Sequence, residues 1–176
     1  GLFLLLILIV ILVYVVMASQ FESLLDPFVI MFSVPFAITG VLIGLAVTDM
    51  ALGVMALIGI LILVGIVVKN GIVLIDYAIL CHDRGMDINT AVITASKQRL
   101  RPILMTTLTT VLGMVPMAIG AGEGAEMWNG LGITVAWGLS ISTLITLVLI
   151  PTLYAAFVSR RDRRKGKNAV KLNDEN

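Results

Sequence analysis

Cysteine and histidine are almost missing from this 176-residue chain, which carries one of each, the adjacent pair Cys81 and His82. A single cysteine excludes an internal disulfide and any multi-cysteine metal site, and two neighbouring ligands cannot close a coordination sphere. Charge is scarce too. Only 13% of the residues are Asp, Glu, Lys or Arg, about half the ~25% of soluble domains. A glycine-rich phosphate loop of the Walker type, a nucleophile–base constellation and a paired-carboxylate site are all missing, which disfavours an ATPase or a hydrolase. No cofactor, no metal and no nucleic-acid partner are expected. The opening stretch from Gly1-Leu2-Phe3 has the length of a signal peptide but neither a positive n-region nor a small-residue cleavage motif, so it is expected to be a membrane span instead. A start inside a hydrophobic run leads us to expect a piece of something larger.

What the chain has in abundance is apolar surface, with 59% hydrophobic residues and a mean hydropathy of +1.08. An integral membrane protein follows. About 20 apolar residues cross a bilayer as a helix, and five segments qualify: residues 1–18, 28–47, 52–80, 102–119 and 128–158. The expected fold is therefore all-α and polytopic, a membrane domain over residues 1–158 with a basic tail over 159–176 that fades into a disordered end. Asp26 and Pro27 are expected at the N-cap and first position of the second span, and Pro35 is expected to kink it. Gly40 and Gly44 form a small-xxx-small pair, suited to close helix contact or present by chance. Trp128 and Tyr154 sit near opposite ends of the last span as aromatic anchors, whereas Trp137 lies deeper and is expected against another helix. Between the third and fourth spans, Asp87 to Lys97 reads as a short amphipathic surface helix with Ile88, Ala91, Val92 and Ala95 on one face. Pro102 then reads as the start of the fourth span. The Gly120–Glu126 segment is expected as a flexible loop.

Orientation comes from the basic residues. Of twelve Lys and Arg, eleven fall in the Cys81–Arg101 segment or in the tail, all on one side of a five-span chain, and the two connections on the other side carry none. The positive-inside rule places the C-terminus in the cytoplasm.

The twelfth cation, Lys69, lies deep inside the third span, within Gly65-Ile66-Val67-Val68-Lys69-Asn70-Gly71-Ile72-Val73-Leu74-Ile75-Asp76. An ammonium at bilayer depth costs ~2.5–3.5 kcal/mol on insertion scales and marks a functional site when it has a partner. Of the eleven acidic residues only Asp76 is not in a loop, a helix end or the tail. It is seven residues away, ~10 Å along the axis, too far for a direct pair. Either Lys69 is neutral, or it bonds backbone carbonyls at a helix crossing, or a carboxylate reaches it from another polypeptide segment. Asp76 itself reads as an interfacial polar residue. The fourth span opens Arg99-Leu100-Arg101-Pro102-Ile103-Leu104-Met105-Thr106-Thr107-Leu108-Thr109-Thr110. Its four threonine hydroxyls either back-bond to the preceding turn or line a hydrated proton path.

Three motifs, Phe21-Glu22-Ser23 with Pro27-Phe28, the lysine-bearing stretch above and the Arg99–Thr106 run, occur together in an order and spacing that resemble the C-terminal half of bacterial resistance-nodulation-division (RND) transporters, in particular the multidrug branch. The resemblance covers Gly1 to the tail. It implies helices eight to twelve of a twelve-helix bundle, and inner-membrane pumps of tripartite systems that use the proton gradient to export hydrophobic or amphiphilic compounds. By the same resemblance Lys69 matches the relay lysine of helix ten, Thr106 the relay threonine of helix eleven and Arg99 the arginine near its cytoplasmic end, with Asn70 next to the lysine. The relay aspartate pair belongs to helix four, in an N-terminal half not in this sequence. The implied partners are that half, two further copies in a homotrimer, a periplasmic adaptor, an outer-membrane channel and the lipid bilayer. The competing expectations are a membrane scaffold without transport of its own, or a relative of the same fold that exports lipid or another cargo.

Overall fold

The computed structural model describes residues 1–21 and 25–174, with the side chains of Leu2, Leu25 and residues 171–174 left aside. Glu22 and Ser23 of the first motif, residues 22–24 of the first connection and the last two residues lie outside the described chain. All regular structure among the described residues is helical: α1 (Leu2–Phe21), α2 (Leu25–Met31), α3 (Ser33–Val47), α4 (Val54–Asp83), α5 (Ile88–Ile119) and α6 (Asn129–Asp174), with one 3₁₀ turn at Ala125–Met127. Five stretches are long and apolar enough to cross a membrane, in the places the hydrophobic runs predict.

The second span is broken where proline chemistry requires it. Pro35 has no N–H for the carbonyl four residues earlier and its ring crowds that carbonyl. The break accordingly falls at Phe32, between α2 and α3. The Ser33 hydroxyl donates to the Ile30 carbonyl at 2.6 Å across the break. Asp26 sits inside the first turn of α2 rather than at an N-cap, still where a carboxylate suits the helix dipole.

Two expectations about where helices begin and end are corrected. The amphipathic segment and the fourth span are one helix, α5, with Pro102 in its interior. The carbonyl that Pro102 leaves unpaired belongs to Gln98, an exposed residue near the polar end, where solvent can replace the missing N–H. The apolar face of the segment, Ile88, Ala91, Val92 and Ala95, is buried inside the protein, not laid on a lipid surface. The tail is the second correction. α6 continues without interruption to Asp174 over 46 residues, ~69 Å at 1.5 Å per residue. That is more than twice the ~30 Å of bilayer hydrocarbon, so its basic end projects as helix. Extending an existing helix avoids the nucleation cost that an isolated peptide must meet, and Arg, Lys and Ala all favour the helical state.

α6 is the axis of the bundle, packed against α3, α4 and α5. Small residues set those contacts, as they do where lipid removes the hydrophobic drive between helices. A Cβ at Gly40 would lie 3.0 Å from the Ile141 Cβ, and one at Gly44 would fall on the Trp137 side chain. The Gly40/Gly44 pair is therefore a helix contact, and Trp137 packs where its depth predicts. A Cβ at Gly138 would collide with Leu63 and Val41, and one at Gly132 would stand 2.7 Å from the Ala118 backbone nitrogen. Tyr154, expected as an interfacial anchor, is instead buried at 4% exposure. Pairing of Gly59 with Thr134 and of Leu63 with Gly138 makes α4 and α6 parallel. Pairing of Ala118 with Gly132 and of Thr107 with Thr143 makes α5 antiparallel to both. Arg84, the cations of early α5 and the end of α6 thereby collect at one end of the bundle. α1 stays peripheral, leaving an apolar groove of about 470 Å³ against α3 and α4.

Candidate functional site

Lys69 lies fifteen residues after Val54 and fourteen before Asp83 on α4, ~22 Å from one end and ~21 Å from the other. It is at mid-helix. It is also exposed, on a stripe shared with Gly65, Asp76 and Leu80, whereas the next residue, Asn70, is buried. Consecutive positions on a helix point ~100° apart, so α4 presents an ammonium outward and an amide inward at the same depth. Among the described residues Lys69 makes no hydrogen bond or ion pair.

The level of Lys69 on the neighbouring helices follows from two contacts. The Arg99 guanidinium carbon sits 5.0 Å from the centre of the Tyr77 ring. Eight residues back along α4 from Tyr77 is Lys69, and eight residues along antiparallel α5 from Arg99 is Thr107. Thr107 in turn meets Thr143 of α6, with the two hydroxyl oxygens 3.1 Å apart. Lys69, Asn70, Thr106, Thr107, Thr143 and Thr146 therefore form one polar layer across three helices, within about a helical turn of a single depth.

Inside that layer the hydroxyls divide. Thr106 donates to the Pro102 carbonyl at 3.0 Å, Thr109 to Met105 at 2.8 Å and Thr110 to Thr106 at 2.9 Å. Back-bonding thus holds for three of the four threonines read from the sequence. Thr107 alone reaches another helix. Thr106 and Thr109 are exposed while Thr107 is buried. On α6 the Thr146 hydroxyl is fully enclosed without a partner among the described residues, as is Thr134 nearer the other end. Thr107 belongs to the threonine run read from the sequence, but Thr143 and Thr146 on α6 carry no such motif. The only sequence signal for the α6 pair is the polar run Ser140, Ser142, Thr143 and Thr146 within a membrane helix.

Arg99 is placed away from this layer, a turn or more toward the basic end, half-buried over Tyr77 with its Nε enclosed and without a partner among the described residues. Of the four sequence candidates, then, Lys69 and Thr106 share a depth and an exposed aspect, Asn70 shares the depth but points inward, and Arg99 stands apart. No described group of three or more His, Cys, Asp or Glu is placed to hold a metal.

Comparison with known proteins gives a consistent family. Over 155 residues the chain is 40% identical to the swarming motility protein SwrC of Bacillus subtilis, covering 88% of this chain and 15% of that protein. It is 38% identical over 161 residues to the multidrug resistance protein MdtC of Yersinia enterocolitica, covering 91% of this chain and 16% of the relative. Among solved structures, a heavy metal efflux pump superposes with a TM-score of 0.79 at 32% identity, covering 89% of this chain and 15% of the pump. The chain thus spans about one-sixth of the length of these relatives. Residues 1–158 match the AcrB/AcrD/AcrF family, and the chain belongs to that family of RND efflux transporters.

Proposed function

We propose that this chain supplies the last five membrane helices of a proton-driven efflux pump, and that Lys69 is one half of its proton switch. The observation that carries the reading is a lysine midway along α4, uncovered by the helices of this chain and level with Thr106. A charge so placed needs a carboxylate, and the uncovered stripe is where a helix bearing the relay aspartate pair would pack. With those aspartates ionised, Lys69 pairs with them. Protonation from the outer side removes the attraction, and the ammonium turns to other acceptors, Thr106 among them. The Thr106 hydroxyl already gives its proton to Pro102, so its free lone pair faces outward to accept.

In this reading Arg99 steadies the α4–α5 pair at the cytoplasmic end and Asn70 fixes the rotation of α4 from inside. The C-terminus is cytoplasmic, the membrane is the bacterial inner membrane, and the complete pump is a homotrimer joined to a periplasmic adaptor and an outer-membrane channel. The likeness to MdtC supports hydrophobic or amphiphilic compounds as cargo. Movement of the bundle would be passed to a periplasmic portion outside this chain. No cofactor is required, because the proton gradient does the work.

The test is transport by the complete pump with Lys69→Ala. Loss of proton-coupled efflux at normal membrane levels supports the switch, and wild-type drug resistance sinks it. The 176-residue chain reconstituted alone should move no drug in response to a proton gradient; robust transport by it would remove the need for an external carboxylate.

A further inference from the structure

We propose that the outward face of α5 at the basic end of the bundle is a binding groove for an anionic phospholipid. Lys97, Gln98, Arg101, Leu104, Met105 and Leu108 line a groove of about 570 Å³ there, with no acidic side chain in its wall. The chemistry is layered along the helix. Lys97 and Arg101, four residues apart, are neighbours on one face, and the wall then turns wholly apolar for the seven residues from Arg101 to Leu108, ~10 Å deeper. Lys97, Arg101, Met105 and Leu108 are exposed.

That order matches one kind of molecule. A phosphodiester headgroup at the membrane surface meets an ammonium and a guanidinium, the latter able to grip two of its oxygens. The acyl chain below it lies along Leu104, Met105 and Leu108. A soluble anion would use only the top of such a groove. A neutral lipid would leave the two cations without the charge they complement. The surrounding field has the same sign, since Arg84 and the Arg160–Lys167 run emerge at this end.

The groove and Thr106 share the exposed side of α5, but the parts that would hold the lipid are turned away from the polar layer. At 100° per residue, Lys97, Arg101, Leu104 and Leu108 lie ~140–200° around α5 from Thr106, whereas Gln98 and Met105, at the near edge, lie ~80–100° from it. The inference rests on the cations and the apolar wall of the groove and does not depend on the proton switch.

The experiment is native mass spectrometry of the 176-residue chain in neutral detergent, titrated with dioleoyl-phosphatidylglycerol or dioleoyl-phosphatidylcholine. We expect the first phosphatidylglycerol to bind about tenfold or more tightly than phosphatidylcholine, the ratio that two surface cations produce. The double variant Lys97→Gln/Arg101→Gln should erase that preference, whereas Arg163→Gln/Arg164→Gln in the projecting helix should keep it. Leu108→Asn should weaken both lipids, because it spoils the acyl contact alone. Millimolar inorganic phosphate should leave the lipid bound. Equal affinity for the two lipids overturns the proposal, as does a preference that survives in the Lys97/Arg101 variant, or displacement by inorganic phosphate, which would make the site one for a free anion. All four substituted side chains besides Leu108 are exposed charges, so these variants test the groove without disturbing the core.

Discussion

The Thr107 hydroxyl lies 3.1 Å from that of Thr143, and this inward bond fixes which way Thr106 points. One residue along a helix is a rotation of ~100°. With Thr107 held in the α5–α6 seam, Thr106 must face the uncovered side. The bond should therefore be measurable both as stability and as register. Thr107→Val and Thr143→Val are each expected to cost ~0.5–1.5 kcal/mol, with the double variant costing clearly less than their sum. Reversible unfolding in mixed micelles reads the cycle; strict additivity would show that the two hydroxyls do not interact.

The close contacts of α6 rank three glycines by what an added methyl would strike. At Gly132 the obstacle is backbone, the Ala118 nitrogen at 2.7 Å. At Gly44 it is the root of the Trp137 side chain, and at Gly138 the ends of Leu63 and Val41, which can rotate away. Alanine substitution is expected to destabilise most at Gly132 and least at Gly138, within the ~1–3 kcal/mol typical of overpacking. Thermal melts of the three variants check the order, and a Gly138→Ala protein less stable than Gly132→Ala would reverse the assignment of rigid and yielding neighbours.

Much of this architecture is legible in the chain itself. Five long apolar runs name five crossings, and Pro35 names the break that appears one turn earlier at Phe32. Two features escape. Pro102 is chemically acceptable both at a helix start and inside a helix whose freed carbonyl reaches water, and only packing of Ile88, Val92 and Ala95 onto the core chooses the second. The run Thr106, Thr107, Thr109 and Thr110 gives hydroxyl spacing but no direction. Which one turns inward depends on Thr143, 36 residues on. Lys69 is conspicuous as a cation in a hydrophobic span, yet its depth relative to Thr106 is fixed only by contacts such as Tyr77 with Arg99.

Arg99 over Tyr77 ties α4 to α5 near the basic end, with a guanidinium carbon 5.0 Å from the ring centre. An interaction with the ring face should survive Tyr77→Phe and be lost in Tyr77→Leu, at ~0.5–2 kcal/mol. In the Tyr77→Leu background Arg99→Gln should then cost little more. Equal loss in the phenylalanine and leucine variants would assign the effect to the phenol hydroxyl instead.

Thr106 distinguishes the local from the functional role of a hydroxyl. Its bond to Pro102 is a back-bond that alanine removes at small cost to folding. Thr106→Ala in the complete pump is nevertheless expected to impair efflux at unchanged membrane levels, with Thr106→Ser restoring much of it. Undiminished transport by the alanine variant would leave the hydroxyl with its back-bond alone.

The central claim concerns the uncovered ammonium at mid-membrane. Its most direct measurement is substrate-dependent proton counterflow in proteoliposomes holding the complete transporter, with Lys69 or with alanine in its place. The account predicts counterflow reduced to the leak rate in Lys69→Ala, with insertion and assembly intact. Counterflow at the wild-type rate in that variant would contradict it.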